Sequence, residues 1–198
     1  MNLLHIGLFL FLLFKFSIVN AEELGNEELI KSLIVIYFLM SFSLSHSENI
    51  ELKDNFTEVN IYTGTFDVID KEGDDKTSLV GLEHKNDNLF RNTILGQFQP
   101  ITGGFMTGDS SMYFYTGIEG QYKLGKINIL PSFAPGYYEK GDGKDLGSVL
   151  EFKSEIKVGF DIGKNSKFSY SYNHISNNDW GDINPGSNNE HFSFSHNF

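Results

Sequence analysis

The sequence predicts an all-β protein, an eight-stranded antiparallel transmembrane β-barrel preceded by a cleavable signal segment. Three observations predict it. From about residue 57 onward, apolar and polar residues alternate with a period of two, not with the three-to-four spacing of an amphipathic helix. The 198 residues include 19 Phe, 9 Tyr and 20 Gly, and aromatic residues favour strands while glycine favours tight turns. The N-terminal part of the chain resembles an export signal.

The export signal is carried by two apolar runs: 3–19 and 29–44. Each run is followed by small residues of the kind that signal peptidases cut after. Only the second run has a basic residue, Lys31, ahead of its apolar core, so we expect it to be the working signal, with a cut before Glu48. The first run is then an upstream extension, for example from a misplaced start codon, and a true N-terminal membrane anchor is the alternative. The sequence therefore predicts a leader over 1–47 and one folded domain, the barrel, over 48–198.

The composition excludes several classes of function. The chain has 15 Lys and Arg against 26 Asp and Glu, a formal net charge of -11, whereas a nucleic-acid-binding surface needs clustered basic residues. We therefore expect no nucleic-acid partner. The sequence contains no cysteine, which excludes disulfides, thiolate metal ligands and a cysteine nucleophile. Its histidines show no metal-ligand spacing with acids, so we expect no metal and no cofactor.

Eight segments with two-residue alternation follow the leader, and turn signals separate them. They are 57–68, 77–86, 93–106, 111–124, 126–138, 147–162, 166–176 and 188–198. Each has about ten or more residues, enough to cross a bilayer when tilted, and an even number of strands closes an antiparallel sheet without free edges. A soluble β-sandwich also alternates and is the alternative. Pro131 and Pro135 cannot donate to a strand ladder, so we expect a bend or a bulge in the fifth segment.

The alternation divides each segment into an apolar and a polar face, most clearly in the sixth. Its apolar face carries Leu150, Phe152, Ile156, Val158, Phe160 and Ile162. We expect such faces to meet lipid and the polar faces to fill a narrow lumen, where Lys153 and Lys157 pair with Glu151, Glu155 or their neighbours. The last segment ends on an aromatic residue, Phe198, which resembles the C-terminal signature of bacterial outer-membrane barrels. An ordinary edge strand is the alternative for this last segment.

The seventh segment places a histidine and a serine on its aromatic face. Strand parity puts Tyr170, Tyr172, His174 and Ser176 on one side. The histidine and the serine are about 7 Å apart along the strand, a gap that a twisted strand end can bridge. A histidine in reach of a serine hydroxyl can act as its general base, and the neighbouring Asn177 could donate to the oxyanion that forms during ester attack. The alternative is that both residues only mark where the apolar belt meets water.

Several stretches of this sequence resemble one known family. They are 131–156, YNHISN at 172–177, NPG at 184–186 and the terminal aromatic strand. Over most of 94–198 they are similar to the lipid A 3-O-deacylase family, also called PagL. The resemblance implies an eight-stranded barrel of the bacterial outer membrane that hydrolyses the ester-linked acyl chain at the 3 position of lipid A, so that its substrate is lipid A or lipopolysaccharide. It also implies His174 as the base, Ser176 as the nucleophile and Asn177 as the oxyanion-hole asparagine.

The glutamate of the family's serine, histidine and glutamate set does not carry over cleanly. Its position is occupied by Asn188, and Glu190 lies two residues later. Both residues have the parity that points to the lipid side, where His174 and Ser176 are expected. We favour Glu190 as the acid, which requires a bulge or a slipped pairing in the last strand, with Asn188 as its rival in the manner of a Cys-His-Asn protease. The alternative function is a structural or adhesive outer-membrane barrel that has lost the acid.

Overall fold

The computed structural model describes residues 57–69, 76–86, 91–93 and 96–198. The predicted leader over 1–47 and the predicted cut before Glu48 lie outside the described residues and stay predictions. Within the described ranges, no helix is long and apolar enough to cross a membrane.

Nine strands occur in the part of the chain that the structure describes. They are β1 (Thr57–Phe66), β2 (Thr77–Asn86), β3 (Arg91–Thr93), β4 (Gly96–Thr107), β5 (Met112–Leu124), β6 (Ile127–Glu139), β7 (Leu150–Ile162), β8 (Ser166–Ser176) and β9 (Ser187–Asn197). All pairings are antiparallel. The short β3 pairs only with the beginning of β4, whereas β1 pairs with both β2 and β9, and β2 pairs with β4. The other eight strands therefore close into a barrel, which confirms the predicted fold.

The two prolines of β6 do not shift the strand. The register of β5 and β6 is constant from Met112↔Glu139 to Leu124↔Ile127, so no residue is inserted and the predicted bulge is wrong. The reason lies on the other side of the strand, where Pro131 pairs with Ile156 and Pro135 pairs with Phe152 in an unbroken ladder. Each proline removes one donor, and the pairing with β5 is interrupted beside both prolines while the pairing with β7 stays continuous.

Ion pairs between neighbouring strands fill the lumen. Lys85 Nζ lies 2.9 Å from a Glu58 oxygen and 2.7 Å from a Glu119 oxygen. Lys157 Nζ lies 2.9 Å from a Glu83 oxygen and 3.0 Å from the second Glu119 oxygen. All five side chains are buried. Because a buried charge is costly unless it is paired, these contacts offset the cost of taking the charges out of water.

The two lysines of β7 pair inside the lumen as predicted. Lys153 Nζ lies 3.5 Å from a Glu155 oxygen and 3.8 Å from a Glu83 oxygen, and Lys157 also contacts Glu155 at 3.5 Å. No ion pair within the described ranges involves Glu151, although it was one of the expected partners. The lumen is therefore filled by side chains whose charges compensate each other across β1, β2, β5 and β7.

The outer wall of the barrel is apolar. Large exposed side chains on it include Ile61, Val80, Leu82, Phe114, Phe160, Phe192 and Phe194. Their parity is opposite to that of the buried lumen residues on the same strands. The predicted orientation, with the apolar stripe outward and the charged stripe inward, is confirmed, and such a wall suits contact with lipid.

Three segments meet at one end of the barrel, which we call the site rim: the β6–β7 loop (140–149), the β8–β9 loop (177–186) and the end of β1 (67–69). Gly147 adopts φ +88 and lets the two loops touch, because a Cβ atom at this position would lie 2.0 Å from the carbonyl oxygen of Ile183. Leu146 is 1% exposed and joins the hydrophobic cluster inside the barrel. The loops are thus anchored to the barrel beside the C-terminal end of β8.

Candidate active site

The predicted site residues lie at the rim end of β8 and β9. His174 and Ser176 point outward from β8, and the alternating residues Asn173 and Ile175 are buried inside the barrel. In the strand pairing, His174 lies directly opposite Asn188 of β9. The wall orientation on which the proposed chemistry depends is therefore present.

The imidazole of His174 is held by an asparagine. Nδ1 of His174 lies 3.0 Å from Oδ1 of Asn188, and the Tyr172 hydroxyl donates to the same oxygen at 3.1 Å. Because an amide oxygen only accepts, Nδ1 carries the hydrogen of this bond. The other ring nitrogen, Nε2, is then the basic atom of the imidazole.

The basic edge of the imidazole faces a glycine. Gly186 adopts φ +61, and a Cβ atom there would lie 2.9 Å from Cε1 and 3.3 Å from Nε2 of His174. Ser176 shares the outward face with His174 two residues further along β8. No hydrogen bond joins the serine to the imidazole within the described residues. Catalytic hydrogen bonds often tighten only when the substrate is bound.

Glu190 does not reach the imidazole. The register of β8 and β9 is constant from Ser166↔His196 to Ile175↔Ser187, so the bulge or slipped pairing that Glu190 requires is not present. The carboxylate instead accepts a hydrogen bond of 2.8 Å from the Tyr170 hydroxyl. Of the two candidates that the sequence left open, the structure brings Asn188 and not Glu190 against His174.

The side chain of Asn177 points into the barrel and not towards the outer face, where it was expected to donate to an oxyanion. Its side chain is fully buried and its Nδ2 donates both hydrogens to carbonyl oxygens, of Leu146 at 2.7 Å and of Ile183 at 2.8 Å. The physical reason is parity, because adjacent strand residues point to opposite sides and Asn177 follows the outward Ser176. Its side-chain amide is therefore engaged in anchoring the two loops. Its main-chain N–H donates to Oδ1 of Asn184 at 3.2 Å.

Comparison with known proteins identifies the family of this chain. A family model for lipid A 3-O-deacylase (PagL) matches residues 72–197, more than half of the chain. This chain belongs to the PagL family. The matched range contains β8, β9 and the loop between them. No curated protein matches the chain.

Solved structures support the same fold. The crystal structure of the outer membrane enzyme PagL is similar with a TM-score of 0.51 and 17% identity, covering 70% of this chain and 98% of that chain. A de novo designed transmembrane β-barrel is similar with a TM-score of 0.50 and 10% identity, covering 75% of this chain and 100% of that chain. At these identities the likeness concerns the fold. Together with the family match, it makes this chain a PagL-family β-barrel of the bacterial outer membrane.

An aromatic surface lies beside the serine of this PagL-family protein. Ser176 is opposite Phe152 of β7 in the strand pairing. The Phe152 ring stacks on Phe133 at 6.0 Å and meets the edge of Trp180 at 5.2 Å between ring centroids. Trp180 belongs to the β8–β9 loop and is 55% exposed. The serine therefore borders on an apolar surface that continues into the lipid-facing wall.

The described part of the chain contains no group of three or more His, Cys, Asp or Glu residues that could hold a metal ion. The polar groups at the PagL-family site are instead the imidazole, the serine hydroxyl and side-chain amides. These groups can move a proton and attack a carbonyl carbon.

Sequence reasoning missed two residues at the site. Gly186 ends the NPG stretch, and a glycine after a proline was a usable signal for a turn with positive φ. Asp67 is 3% exposed and accepts a hydrogen bond of 3.3 Å from the main-chain N–H of Asn188. The two residues are 121 positions apart, so no local pattern could have connected them.

Proposed function

We propose that this PagL-family protein is an esterase that releases the acyl chain at the 3 position of lipid A, with Ser176 as the nucleophile and His174 as the general base. The observation that carries the proposal is the 3.0 Å contact between His174 Nδ1 and Asn188 Oδ1 on the lipid-facing wall. It leaves Nε2 as the basic nitrogen and keeps the imidazole on the same face as Ser176. An acyl chain dissolved in the membrane can reach this face without crossing water.

The proposed reaction follows the pattern of serine esterases. Oγ of Ser176 attacks the ester carbonyl carbon while its proton passes to Nε2 of His174. When the tetrahedral intermediate collapses, the bond to the sugar oxygen breaks and that oxygen takes the proton from the imidazolium. Water then attacks the acyl-serine, again with His174 as the base, and releases the fatty acid. The final products are the free fatty acid and lipid A with a 3-hydroxyl group.

Asn188 takes the orienting role in this scheme. In a serine–histidine pair, an asparagine lowers the activity when its NH₂ group faces Nδ1, because this favours the wrong tautomer of the imidazole. Here the Tyr172 hydroxyl donates to Oδ1 of Asn188 and supports the orientation in which the amide oxygen faces Nδ1. A neutral amide orients the ring but stabilises the developing imidazolium less than a carboxylate does. We therefore assign Asn188 to orientation and leave Glu190 outside the reacting group.

The oxyanion requires donors other than the Asn177 side chain. The main-chain N–H that follows a nucleophile is a common oxyanion donor in esterases. In this chain that group is the N–H of Asn177, which makes only a long bond of 3.2 Å to Asn184. We assign it as one donor to the tetrahedral intermediate, with the Asn177 side chain holding the loops in place.

The test is the mass of lipid A in a Gram-negative host that expresses the full chain. Lipid A should lose one ester-linked hydroxyacyl chain with the wild-type protein and should keep it with Ser176→Ala. Both proteins should migrate as folded barrels on unheated gels. Identical lipid A with and without the wild-type protein, at equal barrel content, would instead favour the non-catalytic structural or adhesive barrel.

A further inference from the structure

Asp67 binds the residue that orients the imidazole. It follows the last residue of β1, adopts φ 53 and is 3% exposed. One carboxylate oxygen accepts the N–H of Asn188 at 3.3 Å, and the next residue, Val68, donates its N–H to the Asn188 carbonyl oxygen at 2.7 Å. The N–H of Asp67 itself donates to Oδ1 of Asn189 at 2.9 Å. The end of β1 therefore continues the pairing with β9 and holds a buried acid beside Asn188.

A lysine from another loop neutralises this acid. Nζ of Lys144 in the β6–β7 loop contacts the second carboxylate oxygen of Asp67. The two side chains are 14% and 4% exposed, so water screens the pair only weakly. The Tyr138 hydroxyl donates to the Lys144 carbonyl oxygen at 2.8 Å and anchors this part of the loop. The extent to which the negative charge of Asp67 is cancelled thus depends on Lys144 of this loop.

Few other charges face the imidazole. On β9, Asn188 is neutral and the carboxylate of Glu190 is bonded to the Tyr170 hydroxyl. On β8, Tyr172 is neutral and donates to Asn188. The Asp67 carboxylate, in contrast, accepts the main-chain N–H of Asn188, the residue whose side chain holds the imidazole. Asp67 is therefore the acid that the fold brings to the His174–Asn188 pair.

We infer that Asp67 is a positioning residue that supplies the negative charge missing at position 188, and that Lys144 sets the strength of this charge. This inference rests on the proposed esterase function. During ester attack the proton of Ser176 moves to His174, and the imidazolium that forms is stabilised by the carboxylate. Asp67 keeps its charge throughout and touches no reacting atom.

The first test compares two variants that break the same ion pair from opposite sides. Asp67→Asn keeps an oxygen acceptor for the Asn188 N–H but removes the charge, so kcat should fall roughly threefold to tenfold with little change in KM. Lys144→Gln removes the neutralising cation and should not lower kcat. A contact that only anchors the loop predicts equal losses in both variants, and that result would overturn the inference.

The second test restores the acid at position 188. Asn188→Asp has nearly the same shape as wild type and places a carboxylate against Nδ1 of His174. We expect it to raise kcat and to reduce the effect of Asp67→Asn to less than about twofold, because an adjacent charge outweighs a more distant one. If Asp67→Asn costs as much in the Asn188→Asp background as in wild type, Asp67 does not act by replacing that charge.

A readout without lipid A separates failure of this inference from failure of the proposed function. The rate at which a long-chain fluorophosphonate labels Ser176 reports activation of the serine and needs no particular substrate. Labelling of wild type that slows in Asp67→Asn supports the inference. Equal labelling of both proteins overturns the inference and leaves the esterase proposal standing. If the wild-type protein, folded in membranes, shows neither labelling nor lipid A cleavage, both the inference and the esterase proposal are overturned.

Discussion

The lumen and the outer site of this barrel treat polar groups in opposite ways. In the lumen every lysine named above touches at least two carboxylates, as Lys157 does with Glu83, Glu119 and Glu155 at 2.9 to 3.5 Å. On the outside, one ring nitrogen of His174 is bonded to Asn188, and the other lies beside Gly186 with no hydrogen bond within the described residues. Compensated charges therefore stabilise the barrel, whereas the proposed chemistry depends on a ring nitrogen that keeps a free hydrogen-bonding position.

Removal of the outer histidine should have the largest effect. His174→Ala should lower kcat for acyl release by about 10³- to 10⁴-fold, because the serine loses its base. The lipid-facing His84 of β2 provides a matched control, and His84→Ala should retain wild-type activity. Kinetic assays with purified protein in lipid A micelles measure both. A His174→Ala variant with full activity would remove the histidine from the mechanism.

The opposite outcome is expected in the lumen. Lys157→Met should destabilise the barrel by about 3–5 kcal/mol, since it leaves buried carboxylates without their partner. The exposed pair Lys123–Asp161, at 2.8 Å, provides the control, and Lys123→Met should cost at most about 1 kcal/mol. Urea unfolding in detergent, followed by the fluorescence of Trp180, gives both values. Equal effects of the two substitutions would show that the lumen network contributes no more than a surface ion pair.

A smaller loss of kcat is expected when the space between Gly186 and the His174 ring is filled. Gly186→Ala should lower kcat by about 10- to 100-fold, because the added methyl group displaces the His174 ring. Gly163 is the control for backbone strain, since it also has positive φ, +72, and a Cβ atom there has no neighbour within 4 Å. Gly163→Ala should lose stability but not kcat. Parallel losses of kcat in both variants would point to strain and not to displacement of the ring.

The smallest effect should come from the aromatic surface beside the serine. Trp180→Ala removes an edge contact to Phe152 and should raise KM for lipid A about threefold while kcat stays near wild type. Phe160→Ala changes another lipid-facing aromatic residue near the far end of β7 and should leave KM unchanged. Initial rates over a range of lipid A mole fractions separate the two parameters. A loss confined to kcat would argue that Trp180 positions the loop and does not contact the acyl chain.

The sequence predicted the barrel because the two-residue period is a local property. Every strand from β1 to β9 except the short β3 was recognised from alternation and turn residues, and the same parity placed His174 and Ser176 on the wall. Parity also indicated that Asn177 points inward, but its position next to Ser176 favoured an oxyanion role for its side chain, and the family resemblance implied the same role. The predicted bulge failed because each proline removes a bond on one side of β6 and the other side stays paired.

The choice between Glu190 and Asn188 could not be made from the sequence. It depends on the register of β8 and β9, and a shift of two residues would exchange their positions without changing which face either one occupies. The contact of Asp67 with Asn188 was equally hidden, because it lies where the first and last strands pair. Such contacts follow from the number and tilt of all strands together, not from any short motif.

The sideways position of Ser176 has a consequence for how the protein should be assayed. As the proposed nucleophile, it would meet its substrate by diffusion in the plane of the bilayer, so the relevant quantity would be the number of substrate molecules per unit of membrane area. Adding inert lipid or detergent at constant bulk substrate should therefore slow turnover by surface dilution. The fatty acid released in the proposed reaction would stay in the same leaflet and would compete with fresh substrate for the aromatic surface until it diffused away.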